Sequence, residues 1–174
     1  MNGAPAYLPY VEIIEQVISS PRSPLVLREA LGDVAPEIAR IAPALRRAFP
    51  DIPPPVELPP ELARRYVWNS FSEFIGRAAR DEPLMLVLED LHWADESTLL
   101  LTDYLTLLSD MPVLVLGTYR DVEVDLHHPL ARVIGQLSRR RLVERVSLGR
   151  LSYDGVRAML RALAGQPAPE QLTR

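Results

Sequence analysis

The segment LMLVLEDLHWAD, residues 84–95, contains five consecutive apolar residues followed by two adjacent acids. Unbroken apolarity without alternation is typical of a strand that is buried on both faces, as in a parallel sheet. Such a strand would carry Glu89 and Asp90 at its carboxyl end, which is where open α/β sheets bind ligands. The segment therefore predicts an α/β fold with a candidate site directly after a buried strand.

The residues before this strand predict a long helix. Pro59-Pro60-Glu61 opens it, because proline is tolerated in a first turn and an early acid suits the helix dipole. The helix is expected to run to about Arg80. Its apolar stripe is formed by Leu62, Tyr66, Phe71, Phe74, Ile75 and Ala78.

Further strands and helices alternate after residue 95. Asp95 is a predicted N-cap, its helix is expected to end near Ser109, and a second buried strand is expected at 113–117. The next predicted elements are a helix from about 129 to 140, a strand at 142–148 and a helix that Ser152 caps and that ends near Ala164. A further helix could restart at Pro169, and this suggests that the chain is truncated. This alternation predicts parallel strands, those at 84–88 and 113–117 being adjacent.

Prolines divide residues 1–58 into short helices, expected at about 8–19, 24–31 and 35–48. The proline-rich run 51–60 is predicted to be a stiff, extended connector. We therefore expect three segments: a helical segment at 1–58, the sheet with its site at 59–150, and the start of a following helical lid region at 151–174.

The composition limits the classes of partner and chemistry. The 174 residues contain no cysteine, which excludes disulfides, thiolate zinc sites and thiol nucleophiles, and which fits a cytoplasmic protein. The formal net charge is −4, so direct binding of nucleic acid by this segment is not expected. The most apolar region, 97–119, contains two acids and a proline, so no membrane span is expected.

An apolar strand that ends in two adjacent acids is the Walker B arrangement of P-loop ATPases. One acid holds Mg²⁺, usually through water, and the neighbouring acid can polarise the water that attacks the γ-phosphate of ATP. An isolated match is only moderately specific, because many strands end in acids merely where a polar loop begins. The phosphate loop G-x-x-x-x-G-K-[ST] is absent, since all 19 basic residues are arginine and the eight glycines are isolated.

Two longer strings resemble one family. VLEDLHWAD at 87–95 and VLGTYRD at 115–121 resemble the ATPase domain of the STAND group within the wider AAA+ class, as found in large bacterial LuxR-type transcriptional regulators and some adenylate cyclases and kinases. In that family an LHWAD segment follows Walker B and a GTYR segment supplies a sensor arginine. APAYLPY at 4–10, HPL at 128–130 and LVER at 142–145 extend the resemblance over nearly the whole chain.

The resemblance implies site residues for ATP and Mg²⁺. Glu89 falls at the magnesium-coordinating acid, Asp90 at the catalytic acid and Arg120 at the sensor that contacts the γ-phosphate. The wider pattern prefers aspartate first, so the division of roles between Glu89 and Asp90 stays open. Without the resemblance, Arg120 would be expected to form an ion pair with Asp121 or Asp90.

Other polar residues have simpler interpretations. Asp95 is expected to be an N-cap, Trp93 a packed aromatic beside the site, and His92 a loop histidine with satisfied hydrogen bonds. His127 and His128 lack further ligands at metal spacing. Residues 139–141 are expected to be solvated cations at a helix C-terminus, although they could supply an arginine finger to a neighbouring subunit of a homo-oligomer.

The sequence therefore predicts an incomplete P-loop NTPase core of AAA+/STAND type, in a signalling or transcriptional regulator with further domains upstream and downstream. In this class a strand that is missing here would lie between the strand at 113–117 and the third strand, so the third strand is expected to be poorly paired or displaced. Alone the chain is expected to be inactive, because the lysine and backbone amides of the phosphate loop hold the β- and γ-phosphates. Two alternatives are a non-catalytic interaction fragment or pseudo-ATPase, and a reading frame whose true start lies upstream of Met1.

Overall fold

The computed structural model describes residues 5–20, 24–107 and 111–164. Its regular elements follow in chain order: α1 Leu8–Ser19, α2 Pro24–Leu31, α3 Ala35–Ile41, α4 Ala44–Ala48, α5 Pro60–Ala78, β1 Leu84–Leu88, α6 Glu96–Thr106, β2 Val113–Gly117, α7 Pro129–Arg139 and α8 Tyr153–Ala164. Single 3-10 turns lie at Gly32–Val34, Leu91–Trp93 and Asp121–Glu123. None of the described helices is long and apolar enough to cross a membrane.

Most of the predicted helices form close to the expected residues. The predicted helix at 35–48 is divided into α3 and α4 by Ala42 and Pro43. Helical backbone is disfavoured in the residue before a proline, and Ala42 accordingly leaves the helical region, with φ −119° and ψ 78°. The expected last turn of α6, at 107–109, falls partly outside the described residues, as does the helix expected to restart at Pro169.

The two central strands form the predicted parallel pair. β1 and β2 are hydrogen-bonded in register from Leu84 opposite Val113 to Leu88 opposite Gly117. The connection between them runs through α6, as a parallel crossover requires. The prediction of adjacent parallel strands is confirmed.

The prediction that both faces of these strands are buried is wrong. In β1, Leu86 and Leu88 are buried, whereas Met85 and Val87 are 57% and 42% exposed. Since successive side chains of a strand point to opposite faces, one face of the sheet packs on the core and the other is open. Exposed apolar side chains of β2 continue this face, which we call the open sheet face: Met85, Val87, Leu114 and Leu116.

The strand predicted at 142–148 does not form. Residues 142–152 have no regular secondary structure, and Val146 and Leu148 are 74% and 91% exposed. A strand needs a neighbour to pair its backbone groups, and the sheet in the described part of the chain contains only β1 and β2. The apolar pattern of this segment is therefore not sufficient for a strand.

The stripe predicted on α5 is correct only for its three central residues. Phe71, Phe74 and Ile75 are buried, but Leu62 and Tyr66 are about half exposed, and Ala78 is exposed. The buried positions of α5 begin at Val67, and all except Ser72 have the spacing of one helix face (Val67, Ser70, Phe71, Phe74, Ile75). The first two turns of the helix contribute little to the core.

The N-terminal helices share one hydrophobic core with the elements around the sheet. The rings of Tyr10 and Phe71 meet edge to face at 5.0 Å between centroids. The Tyr10 hydroxyl lies 2.6 Å from Thr102 Oγ1, and Thr102 donates its own proton to the Thr98 carbonyl at 2.9 Å. Tyr10 is therefore the donor of the first of these hydrogen bonds, which joins α1 to α6.

In the predicted connector at 51–60, residues 52–59 have no regular secondary structure, and the segment is bound to α3 at one point. The Val56 N–H donates to Glu37 Oε1 at 3.2 Å, and Arg40 donates to the Val56 carbonyl at 2.6 Å. Arg40 also pairs with Glu37 at 2.9 Å. Both backbone groups of Val56 are thus satisfied by side chains of a single helix.

The chain divides into two compact units, Met1–Val143 and Glu144–Arg174. The described part of the second unit contains α8. Ser152 caps this helix, since its Oγ accepts a hydrogen bond of 3.1 Å from the Gly155 N–H, and this confirms the predicted N-cap.

Candidate functional site

The carboxyl ends of β1 and β2 lie side by side, because Leu88 pairs with Gly117 in a parallel register. Glu89 and Asp90 follow directly after β1, and Arg120 follows three residues after β2. The structure therefore brings all three sequence-predicted site residues to one edge of the sheet. In open α/β sheets this is the edge at which ligands bind.

Thr118 holds the two strand ends together. Its N–H donates to the Leu88 carbonyl at 2.9 Å, and its carbonyl accepts from the Leu91 N–H at 2.9 Å. Its hydroxyl oxygen accepts from the Asp90 N–H at 3.1 Å. Three hydrogen bonds thus position the acidic loop relative to the loop that carries Arg120. The sequence analysis did not single out Thr118, because its three partners lie 27 to 30 positions earlier in the chain.

Close packing supports the same junction. A Cβ atom on Gly117 would lie 2.7 Å from Leu91 Cδ1, which is closer than carbon atoms approach. Leu91 is buried under the strand ends. Gly117 therefore leaves room for the buried Leu91 side chain, which would have to move if a larger residue stood at this position.

The two acids have different surroundings. Glu89 is exposed, whereas Asp90 is half-buried and adopts a left-handed backbone conformation, with φ 53° and ψ 42°. Aspartate tolerates this conformation better than most residues with a side chain. Asp90 Oδ1 lies 3.9 Å from His92 Nδ1.

His92 differs from the predicted loop histidine with satisfied hydrogen bonds. Its side chain is fully buried, and neither ring nitrogen has a hydrogen-bond partner among the described residues. Its Nε2 lies 3.4 Å from Glu123 Oε2. The prediction was wrong because the turn at Leu91–Trp93 folds the imidazole inward, where it faces Asp90 and Glu123.

His128 also contacts this turn. Its Nδ1 accepts from the Leu130 N–H at 3.1 Å and so caps α7. The proton of the neutral ring is therefore on Nε2, which donates to the His92 carbonyl at 3.1 Å. This contact attaches the start of α7 to the candidate site.

Arg120 forms an ion pair with Glu123, at 2.9 Å between Nη1 and Oε1. The sequence had offered Asp121 or Asp90 as its partners. The guanidinium carbon also lies 5.5 Å from the centroid of the Trp93 ring, within the range of a cation–π interaction. Trp93 is 59% exposed, so the prediction of a packed aromatic is wrong: the ring lies at the surface beneath Arg120.

Asp95 caps α6, as predicted, by accepting hydrogen bonds from the N–H groups of Ser97 and Thr98 at 2.8 and 3.2 Å. It also accepts from the Tyr7 N–H at 3.1 Å. Asp95 is thus bound to the N-terminal helices and not directed at a ligand.

In the basic run at 139–141, Arg140 forms an ion pair with Asp103 at 3.0 Å.

Glu89 and Asp90 could hold a magnesium ion only if other groups supplied the remaining ligands. In the described ranges there is no group of three or more His, Asp or Glu side chains that could hold a metal ion by itself. Magnesium binds through one or two carboxylates and retains several water or phosphate oxygens. The exposed Glu89 and half-buried Asp90 supply such carboxylates at the edge of the sheet.

Comparison with known proteins gives one result at the level of the family. Residues 4–116 match the model of the AAA ATPase domain family, a range that contains α1 to α6, all of β2 except Gly117, and both acids, and that ends before Arg120. No curated protein and no solved structure matches the chain. The match spans well over half of the 174 residues and agrees with the acids at the carboxyl end of β1. The chain belongs to the AAA ATPase domain family.

Proposed function

We propose that the chain forms the magnesium-facing and γ-phosphate-sensing edge of a nucleotide site in a STAND-type signalling or transcriptional regulator. The observation that supports this most directly is the convergence of Glu89, Asp90 and Arg120 at one edge of the sheet, where three hydrogen bonds of Thr118 hold the two loops together. AAA ATPases generally use ATP and Mg²⁺. The proposed output is a conformation that depends on the bound nucleotide.

Different roles for the two acids follow from their surroundings. Glu89 is exposed, and its side chain is one methylene longer than that of an aspartate, so it can reach a hydrated magnesium ion beyond the sheet edge. Asp90 is held by its backbone hydrogen bond to Thr118 and by the turn that follows, so its carboxylate is well placed to polarise a water molecule. When bound, Mg²⁺ would neutralise charge on the phosphates.

Arg120 would distinguish ATP from ADP. A guanidinium binds phosphate oxygens through paired N–H groups, and only ATP offers a γ-phosphate. Its side chain is 58% exposed, so it is accessible to such a ligand.

The phosphate cradle must come from residues other than these 174, since they contain no lysine and no glycine-rich loop. We therefore propose that the chain alone binds Mg-ATP weakly and does not hydrolyse it measurably. Calorimetry with Mg-ATP tests this directly. A dissociation constant in the low micromolar range would contradict it.

Specific observations favour a second candidate, a pseudo-ATPase or protein-interaction fragment. The open sheet face exposes four large apolar side chains, and Arg120 is already paired with Glu123. In this case nucleotide would have no effect on the chain or on any longer form of it.

A longer in-frame chain that includes a G-x-x-x-x-G-K-[ST] segment, where the gene encodes one, separates the two candidates. Asp90→Asn should keep nucleotide binding and lower the hydrolysis rate about 100-fold or more, because it removes the charge that polarises water. Asparagine also tolerates the left-handed backbone of this residue. Glu89→Gln should weaken the magnesium dependence of binding, and Arg120→Ala should reduce the preference for ATP over ADP.

Glu82→Gln is the matched control, since Glu82 is exposed at the opposite end of β1. It should bind and hydrolyse ATP like the parent chain. If all three site variants also behave like the parent, the acids are merely a polar strand end and the proposed function is wrong.

A further inference from the structure

Glu123 contacts two different partners with its two carboxylate oxygens. Oε1 lies 2.9 Å from Arg120 Nη1, and Oε2 lies 3.4 Å from His92 Nε2. The first contact has the length of a charge-assisted hydrogen bond, and the second is slightly longer than an ordinary one. Glu123 therefore lies between the proposed sensor arginine and a buried histidine.

The backbone places Glu123 opposite Arg120. The 3-10 turn Asp121–Glu123 is closed by a hydrogen bond of 3.0 Å from the Glu123 N–H to the Arg120 carbonyl. In such a turn, side chains three residues apart lie over one another. The ion pair is thus a consequence of the local fold after β2 and not of a chance surface encounter.

A second contact holds the same guanidinium. The Arg120 guanidinium carbon lies 5.5 Å from the centroid of the Trp93 ring, and that ring contacts His92 with 4.7 Å between centroids. Glu123 and Trp93 together fix Arg120 in one position at the edge of the sheet.

His92 offers Glu123 an alternative partner. It is fully buried, and its ring nitrogens have no hydrogen-bond partner among the described residues. An unpartnered buried polar group favours any movement that completes its hydrogen bond. A neutral imidazole with its proton on Nε2 could donate to the Glu123 carboxylate after a shift of a few tenths of an ångström.

We propose that Glu123 is a positioning residue that occupies the sensor arginine in the nucleotide-free chain, and that phosphate must displace its carboxylate, which then moves to His92. Carboxylate and phosphate oxygens compete for the same guanidinium N–H groups. This proposal rests on the proposed function for the identity of the anion. It adds that the response of the arginine to phosphate is set by a residue outside the proposed site.

Titration with inorganic tripolyphosphate and Mg²⁺ tests the competition on the full 174-residue chain. The readout is the indole N–H resonance of Trp93 by NMR; the chain has two tryptophans, so Trp93→Phe assigns it. Glu123→Gln should shift this resonance without anion, because the guanidinium is released from its fixed position. The same variant should lower the dissociation constant for tripolyphosphate about two- to fivefold, as expected for breaking an exposed ion pair.

Two controls separate release of Arg120 from a general change in charge. Glu12→Gln removes one negative charge from an exposed position on α1 and should leave both measurements as in the wild type. In an Arg120→Ala background, Glu123→Gln should no longer affect the dissociation constant. Equal dissociation constants in the wild type and Glu123→Gln would overturn the proposal. So would an effect of Glu123→Gln on the dissociation constant that is equally large in the Arg120→Ala background. The proposal also fails if tripolyphosphate does not change the Trp93 resonance of the Glu123→Gln variant.

The outcome is independent of the test of the proposed function. If Glu89, Asp90 and Arg120 variants leave ATP hydrolysis of the longer chain unchanged but Glu123→Gln still affects tripolyphosphate binding, the proposed function fails and the competition for Arg120 stands. If the site variants behave as expected but Glu123→Gln has no effect, only the role of Glu123 is refuted.

Discussion

At the scale of single residues, buried hydroxyl groups connect elements that are far apart in sequence. Tyr10 and Thr102 are 92 positions apart, and their hydroxyl groups lie 2.6 Å from one another in the core. Tyr10 is fully buried, and burial raises its pKa above the ordinary tyrosine value because the phenolate would lose its hydration. Tyr10 therefore makes the stability of the fold depend on pH in the alkaline range.

The sign of the effect follows from the direction of the shift. The unfolded chain releases the Tyr10 proton near pH 10, whereas the folded chain retains it. The contribution of Tyr10 to stability is therefore complete below about pH 10 and is lost as the pH rises further.

We expect Tyr10→Phe to cost about 0.5–1.5 kcal/mol at neutral pH, because it removes a buried hydrogen bond. It should also make the free energy of unfolding fall less steeply above about pH 10. Urea unfolding measured across this range provides the test. Tyr66→Phe is the control, since Tyr66 is about half exposed, and it should retain the wild-type pH dependence. The same steep decline in Tyr10→Phe would contradict the assignment.

At the scale of elements, the β1–β2 pair has one buried face and one open face. Leu88 is fully buried, whereas Leu114, on the open sheet face, is 61% exposed. Because Leu88 and Leu114 are the same residue type in neighbouring strands, their alanine variants compare the stability that a leucine contributes on the buried face and on the open face of the sheet.

Leu88→Ala should destabilise the chain by about 2–5 kcal/mol, because it removes buried apolar surface and leaves a cavity. Leu114→Ala should cost well under this amount, about 0.5 kcal/mol or less, as is usual for surface positions. Both values come from denaturant unfolding. A cost for Leu114→Ala similar to that for Leu88→Ala would show that the open sheet face is covered in solution.

At the scale of the whole molecule, the boundary between the two compact units falls between Val143 and Glu144. It lies within residues 142–152, which are exposed and have no regular secondary structure. Exposed backbone without hydrogen bonds is where proteases cut first.

Limited trypsin digestion should therefore cut after Arg145 or Arg150 before it cuts in α5, where Arg64 and Arg65 are exposed but helical. Mass spectrometry of the first fragments identifies the sites. Combined Arg145→Gln and Arg150→Gln substitutions should slow the appearance of these fragments. A first cut at Arg64 or Arg65 instead would show that α5 opens more readily than the boundary segment.

The sequence alone was sufficient for most of the helices, for the two parallel strands and for the edge of the sheet that carries the site. The boundaries of α1 and α2, the caps at Asp95 and Ser152, and the parallel strands at 84–88 and 113–117 were predicted from proline positions, capping residues and apolar runs. These signals act within a few residues of one another, so local sequence contains them. The parallel order then places Glu89, Asp90 and Arg120 together without further information.

Only the tertiary structure decided which faces are covered and which charges meet. The apolar run of β1 does not show that Met85 and Val87 are exposed, and the pattern at 142–148 does not show that the segment forms no strand. The burial of His92 and its contact with Glu123 likewise depend on how two loops fold against each other. The physical reason is that burial and contacts between loops are set by neighbours distant in the chain, whereas strand and helix signals are set by neighbours close in the chain.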